Sequence, residues 1–251
     1  MIINHIKTDP ISKPGDINSF LDRYITTLNN GDIVAIASKV IGILEGCIIP
    51  IDSNNDKVDL IKKEAEYWLD DQLMIKKYNI LLTIKRNALV ASAGIDESNG
   101  FGNYILWPKD PDKTADSIWS YLRNKFSISD LGIIITDSRT TPLRWGVTAF
   151  AVSWSGFEPL YSYVDKPDIF GRPFKHEQTN VIDSLATVSA FICGEGNEST
   201  PIAIIHNAPR IKFLDRSPTE KERLKLHLEL GDDIYSQLLL SVKWQKGGSN
   251  P

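Results

Sequence analysis

The sequence predicts an α+β fold, a compact mixture of sheet and helix, with residues 1–251 forming one domain. Three observations carry that expectation. Short continuous runs of β-branched apolar residues read as buried strands, and longer segments with apolar positions at helical spacing read as amphipathic helices. No internal repeat, low-complexity tract or linker divides the chain, although a two-lobed arrangement is also compatible with the pattern.

The first strong signal is GDIVAIASKVIGILEGCIIPI at 31–51, where a Gly-Asp turn leads into a buried strand and a second extended segment follows Gly42 to Gly46. Residues 56–78 place Leu60, Ile61, Ala65, Trp68, Leu69 and Leu73 at helical spacing among charges, which predicts one amphipathic helix. ILLTIKRNALVASAG reads as two strands joined by a tight turn at Lys85, Arg86 and Asn87, because Asn tolerates turn conformations well. At 108–125, Pro and Asp open a helix whose Ile118, Trp119 and Leu122 share a face. LGIIITD at 131–137 is a short apolar run typical of a strand buried on both faces, so Asp137 sits at a strand end. VTAFAVSWSGFEPLY supplies another strand, NVIDSLATVSAFICGEG a helix broken at Gly194, and PIAIIH a last buried strand. Ser217, Pro218 and Glu220 have the N-cap, N1 and N3 positions of a capping box, predicting a helical tail to about Lys243 and a frayed GGSNP end.

Composition narrows the function classes. With 42% hydrophobic and 24% charged residues the chain is an ordinary globular sequence that can bury a sizeable core. Net charge is −4 and basic residues are interleaved with acids, so a nucleic-acid partner is not expected. No segment approaches the ~18 apolar residues needed to cross a membrane, and MIINHIKTDPISKPGD lacks the apolar run of a signal peptide. Cys47 and Cys193 are too few and too far apart for a cysteine-rich zinc site and read as buried small hydrophobes in a reducing compartment, hence a cytoplasmic protein.

Three acids lie in polar or Gly-rich loops beside apolar elements: Asp96 in ASAGIDESNG, Asp137 in IIITDSRTTPLRWG and Glu195 in CGEGNESTP. Strand and helix ends are where a scaffold aims carboxylates into a cleft. With hydroxyl and amide neighbours such as Ser138 and Asn99, they make a set of hard oxygen ligands suited to Mg²⁺ or Mn²⁺. Each acid, taken singly, is more often a turn or helix cap. No GxxxxGK[ST] or GxGxxG element exists, so a nucleotide must be held in some other way. The histidines His5, His176, His206 and His227 show no ligand spacing, and SWSGF departs from the GxSxG order of a serine hydrolase.

Taken in order, GDIVAIASKVIGILEG, ASAGIDESNG, LWPKDPDKTAD, IIITDS and GEG followed by PIAII resemble the coenzyme F420-0:L-glutamate ligase family over nearly the whole chain. The resemblance implies an enzyme that activates a terminal carboxylate with GTP or ATP as an acyl phosphate, which the amine of L-glutamate then converts to an amide. It implies a homodimer, and metal ligation by Asp96, Asp137 and Ser138 with Glu195 as a further ligand. Asp96 and Asp137 thereby become the catalytic acids, and Ser38, Lys39 and Asn99 match nucleotide-contacting positions. Lys39 adds a point charge to a phosphate oxygen.

The departures from the family pattern are equally specific. Ile43 stands where a second lysine is usual, Ser138-Arg139 where Thr and then Gly-Arg are typical, and Ser184 where an acid is common. These changes suggest an acceptor other than coenzyme F420-0, with folate the leading alternative. A pterin or deazaflavin needs a planar slot, for which Trp145, Trp154, Phe157, Tyr161 and Tyr163 are candidates, unless they pack a core or subunit interface. Arg139, Arg144 and Arg172 are candidate carboxylate or phosphate clamps, or surface residues. The apolar stripe from Leu224 to Val242 is a candidate dimer face. Two further readings use the same acids: a non-catalytic nucleotide-binding relative and a metal-dependent phosphohydrolase.

Overall fold

The structure is a computed structural model that describes residues 1–248. The chain opens with β1 (Ile2–Ile6), a sheet-edge strand. Asp16 caps α1 (Ile17–Tyr24) by accepting from the Ser19 N–H at 2.7 Å, and the helix turns Phe20 and Leu21 inward. The buried β2 (Asp32–Ala37) passes without a loop into α2 (Ser38–Leu44). This helix replaces part of the extended run expected over 31–51. Val40, Ile41 and Leu44 share a face that buries in the main core, and Gly42 lies so close to the Leu106 carbonyl that a Cβ would sit 2.3 Å from its oxygen. The expected second extended segment follows as β3 (Ile48–Pro50).

The helix expected over 56–78 is instead helix, strand and helix: α3 (Lys57–Glu64), β4 (Tyr67–Leu69) and α4 (Gln72–Tyr78). Asp56 and Asp71 each cap their own helix, accepting from the N–H groups of Asp59 and Met74. Between them the backbone turns extended at Ala65, and the Glu66 N–H donates to the Ile84 carbonyl, committing Tyr67 to Leu69 to a sheet. Sheet pairing here overrides an apolar spacing that also suits a helix. The hairpin of β5 (Leu82–Lys85) and β6 (Ala88–Ala91) forms as expected, with Arg86 and Asn87 at φ 50° and 56°.

β7 (Asn103–Ile105) pairs with β3, and Asp110 and Pro111 open α5 (Pro111–Phe126) as the sequence indicates. The long strands β8 (Leu131–Thr140) and β9 (Val147–Ser155) follow, then the short β10 (Leu160–Ser162) and β11 (Gln178–Asn180). α6 (Val181–Cys193) ends at Gly194, with φ 83°, and β12 (Ile202–His206) returns to the sheet. The capping box lies two residues later than expected, on Thr219 and Glu222, and opens only a single turn, α7 (Glu220–Leu224). The remaining tail is α8 (Ser236–Leu240) and β13 (Trp244–Lys246) rather than one helix. Within α7 Arg223 draws inward, where its guanidinium donates to the Trp154 carbonyl and pairs with Asp112 and Asp116 at 3.1 and 2.7 Å. Downstream, β13 pairs with β4. The expected fraying at 247–251 does not hold for Gly247 and Gly248, which donate to Glu66 and Lys62, and the last three residues lie outside the described ones.

Among the described residues the main sheet has the order β1-β12-β2-β8-β9, with β2 and β8 parallel and the other neighbours antiparallel. Alternation along β2 and β8 feeds two cores. Val34, Ile36, Ile133 and Ile135 face α1, α2 and α5, whereas Ile33, Ala35 and Ile134 face α6. A four-stranded sheet, β13-β4-β5-β6, and the β3-β7 pair enclose a third, smaller core around Ile61, Leu81, Ile95 and Tyr104. This mixture of parallel and antiparallel sheet with packed helices is the expected α+β class. No helix among the described residues is long and apolar enough to cross a membrane. Cys47 and Cys193 are unpaired, and both are only half-buried rather than fully buried as expected.

Arg223→Ala leaves Asp116 without its cation and Asp112 with Arg86 alone, and it strips the Trp154 carbonyl of its donor, so we expect a loss of about 2 kcal/mol of stability in urea unfolding. Limited proteolysis should then cut the chain after residue 217 faster than in the parent protein.

Candidate functional site

β2 and β8 run side by side and end together, Ala37 opposite Thr136. The chain leaves β2 directly into Ser38 and Lys39, and it leaves the paired core of β8 into Asp137 and Ser138. A bulge beside this point sets Ile135 against Ser153 but Thr136 against Ala151, so Val152 is the extra residue of β9. Two loops close over the strand ends. One carries Asp96, Ser98 and Asn99 from the smaller core, and the other is the Gly194 to Thr200 segment after α6. Asn99 joins them by donating its side-chain amide to the Gly196 carbonyl at 3.0 Å.

Together these segments and residues 8–12 line a cavity of about 790 Å³, within the range of small-molecule sites. All seven residues singled out from the sequence reach it: Ser38, Lys39, Asp96, Asn99, Asp137, Ser138 and Glu195. Ile43, singled out from the sequence as a departure, lines it too.

The charges inside are unevenly balanced. Lys39 Nζ lies 2.6 Å from an Asp96 oxygen and also donates to the carbonyl and hydroxyl of Ser98 at 3.0 Å. The other Asp96 oxygen accepts from the Ser98 N–H and hydroxyl, both at 2.8 Å. Burial pushes the Asp96 carboxyl up, but the Lys39 ammonium and the Ser98 donors outweigh it and hold the acid below its ordinary value. Asp137 has no such cation in contact. Its Oδ2 accepts from the Trp107 indole N–H at 2.5 Å, and desolvation, aided by the Asp96 charge, raises its pKa to about 6 against the opposing hydrogen bonds. Ser138 donates toward Glu195, with its Oγ 2.8 Å from both carboxylate oxygens. Cys193, at the cavity wall, has its thiol pushed up to about 11 by burial and by the Glu195 charge.

The donors are hard oxygens of the kind that Mg²⁺ and Mn²⁺ prefer, and a buried carboxylate with a raised pKa is a group that a cation stabilises. As the side chains stand, Asp96 is turned to Lys39 and Asp137 to Trp107. Among the described residues, no three acidic, imidazole or thiol groups converge on one point.

Trp107 and Ser98 are the neighbours that sequence reasoning passed over. Trp107 belongs to the LWPKDPDKTAD motif, and its placement depends on Gly94, whose backbone has φ 73° and where a Cβ would lie 2.1 Å from the indole nitrogen. The proposed aromatic slot and arginine clamps lie elsewhere. Trp154 and Phe157 are buried in the core, Tyr161 and Tyr163 pack on each other and on Lys166, and Trp145 is fully exposed near the turn between β8 and β9. Arg139 pairs with Asp183 at 3.2 Å, and neither it, Arg144 nor Arg172 lines the cavity. Ser184 bonds back to the Asn180 carbonyl, outside the cavity. Of the histidines, His206 is held by Asp32 at 2.6 Å at the far end of the sheet.

Residues 5–207 match the family model described as F420-0:Gamma-glutamyl ligase. The chain belongs to this F420-0:gamma-glutamyl ligase family. It is 31% identical over 214 residues to a coenzyme F420:L-glutamate ligase of Methanocaldococcus jannaschii, covering 79% of this chain and 85% of that one. A protein of the same name from Methanococcus maripaludis is 32% identical over 210 residues, covering 79% and 84%. One from Methanopyrus kandleri is 30% identical over 209 residues, covering 76% and 81%. The family match reaches through β12 and so spans every cavity-lining segment, including the Gly194 to Thr200 loop.

The raised Asp137 pKa sets a pH dependence. The folded protein binds this proton more tightly than the unfolded chain, so in cation-free buffer stability falls as pH rises from about 4 to about 6 and then levels. Asp137→Asn removes the penalty. Its stability relative to the parent should grow across that window, by up to a few kcal/mol at pH 8 and by little at pH 4, in parallel denaturant titrations.

Proposed function

We propose that this protein is a cytoplasmic γ-glutamyl ligase that joins L-glutamate to the terminal carboxylate of a small ring-bearing acceptor at the expense of GTP or ATP. The acceptor is of the coenzyme F420-0 or folate type, a deazaflavin or a pterin. The observation that carries this reading is the convergence of Ser38, Lys39, Asp96, Asn99, Asp137, Ser138 and Glu195, from four separate segments, on one cavity of about 790 Å³. Family membership supplies the reaction class, since the relatives are named as glutamate ligases.

The chemistry proceeds in two balanced steps. An acceptor carboxylate oxygen attacks the γ-phosphorus, the bond to the β-phosphate oxygen breaks, and the nucleoside diphosphate leaves, giving an acyl phosphate. The amine of glutamate then attacks the acyl carbon, inorganic phosphate departs and the amine proton is lost. Lys39 places a mobile point charge among phosphate oxygens once it leaves Asp96, and Ser38 and Asn99 position the nucleotide. Asp96, Asp137, Ser138 and Glu195 would hold Mg²⁺ or Mn²⁺, which supplies charge neutralisation of the phosphates. The two loops that meet through Asn99 and Gly196 would have to close further over bound substrates to protect an acyl phosphate from hydrolysis.

The direct test is mass spectrometry of the purified protein with Mn²⁺, GTP or ATP, L-glutamate and, separately, a folate or a deazaflavin phospholactate. A glutamyl unit gained by one acceptor establishes the reaction and its substrate together. Phosphate release that ignores glutamate identifies a phosphohydrolase instead, and no turnover at all identifies a non-catalytic relative. Asp96→Asn and Asp137→Asn should each lower kcat at least a hundredfold while circular dichroism stays unchanged, and normal rates in both would sink the proposal.

We also propose a homodimer. Leu143 and Trp145, between β8 and β9, are fully exposed, and Ile169, Phe170 and Phe191 are nearly so, a set of large apolar side chains that water does not favour. The stripe expected to contribute from the tail is also partly exposed at Leu224, Leu238 and Leu240. Light scattering should give twice the chain mass, and Leu143→Glu with Trp145→Glu should halve it.

A further inference from the structure

Phe101 is the one residue of the cavity lining that combines a large aromatic ring with near-complete exposure, at 83%. Its backbone is also unusual. It adopts φ 49°, in the left-handed region that bulky side chains seldom enter, and it follows Asn99 at φ 56° and precedes Gly102 at φ 81°. Strain of this kind persists only where surrounding bonds enforce it. Here they do. Asn103 donates its side-chain amide to the Gly100 and Phe101 carbonyls at 3.1 and 3.2 Å, its backbone N–H donates to the Gly100 carbonyl, and the Ile51 N–H donates to the Gly102 carbonyl at 2.9 Å. Gly100 fits only because it lacks a side chain, since a Cβ would lie 2.2 Å from the Asn103 oxygen.

The loop is therefore built to hold a phenyl ring in water at the edge of the cavity, two residues from Asn99 and five from Asp96. The ring gains nothing from the protein core, and it differs from the exposed side chains assigned to the dimer face in lining the cavity. Pro10, Ile11 and Val147 line the same cavity and add apolar surface to it. The rest of the lining is mostly small, polar or charged.

We infer that Phe101 is a stacking platform for the planar heteroaromatic ring of one of the substrates, the nucleobase or the acceptor's ring system. Aromatic faces bind flat rings of many kinds by stacking, with a benefit that alanine substitution reads as roughly five- to hundredfold in affinity. This makes Phe101 a binding and specificity residue rather than a catalytic one. The inference rests on the ligase reading only for its choice of ring-bearing ligands.

The test is calorimetric binding to the full-length protein and to Phe101→Leu, Phe101→Trp and Phe101→Asn. The ligands are GTP, ATP, tetrahydrofolate monoglutamate, a deazaflavin phospholactate, and inorganic triphosphate as a ringless control. Phe101→Leu should weaken one class of ring-bearing ligand by roughly five- to hundredfold, Phe101→Trp should restore it, and triphosphate should bind all variants alike. Loss confined to GTP and ATP identifies the nucleobase as the occupant, and loss confined to the folate or deazaflavin identifies the acceptor. Phe101→Asn tolerates the left-handed backbone, so it should keep or raise Tm while losing the same affinity. Unchanged affinity for every ring-bearing ligand, an equal loss for triphosphate, or a fall in Tm that accounts for the loss overturns the inference. A parent protein that makes no glutamyl product yet shows the Phe101-dependent binding would defeat the ligase reading alone.

Discussion

The parallel pairing of β2 with β8 is the constraint on which the site depends. Parallel neighbours end on the same side of a sheet, so whatever follows each strand is delivered to one place. Here the residues that follow are Ser38 and Lys39 on one strand, Asp137 and Ser138 on the other, with Ala37 and Thr136 in register behind them. A slip of one residue would reverse the facing of Val34, Ile36, Ile133 and Ile135, which the core around α5 forbids. The hydrophobic pattern that folds the sheet thus also sets the relative position of a lysine and a carboxylate about a hundred residues apart in sequence.

The remaining acids come from outside the sheet, and their aim is less secure by design. Asp96 is fixed by a two-way backbone bridge with Ile105 and by the Ser98 turn, and Glu195 by the loop that follows α6. Loops on a rigid scaffold suit ligand exchange because they yield at small cost. Among the described residues, the Asn99 amide on the Gly196 carbonyl is the side-chain hydrogen bond that joins the two closing loops.

The sequence reveals most where one physical signal acts alone. Asp110-Pro111 opens a helix because cap and ring chemistry agree, Gly194 ends one, and Arg86-Asn87 turns a hairpin because the positions need positive φ. It misleads where two periods fit the same residues. Tyr67 to Leu69 carry apolar groups compatible with a helix, and only their partners at Ile84 and Lys246 make them a strand. The paired caps Asp56 and Asp71 were the local signal for two helices. The tail fails for another reason: Arg223 prefers a buried place among Asp112, Asp116 and the Trp154 carbonyl to a solvated helix face, and no local pattern encodes those distant partners. The cavity acids were legible because they stand in polar loops at the ends of apolar runs. Trp107 was not, since its role depends on a tertiary contact over Gly94.

Desolvation acts on both central acids with the same sign, and the outcomes diverge. Asp96 stays well ionised because Lys39 sits against it, whereas Asp137, which accepts from the Trp107 indole and the Ser138 backbone but has no cation against it, is pulled toward its neutral form near pH 6. A single ammonium cannot neutralise both groups, so the cavity holds an excess of negative charge that grows as Asp137 ionises. Any polyanionic ligand entering must meet cations, and Lys39 is the only ammonium or guanidinium group that lines the cavity among the described residues. It follows that a phosphate chain and these carboxylates can share the space only with further positive charge between them. The proposed need for a divalent cation thus rests on the arrangement of acids rather than on any phosphate-binding loop.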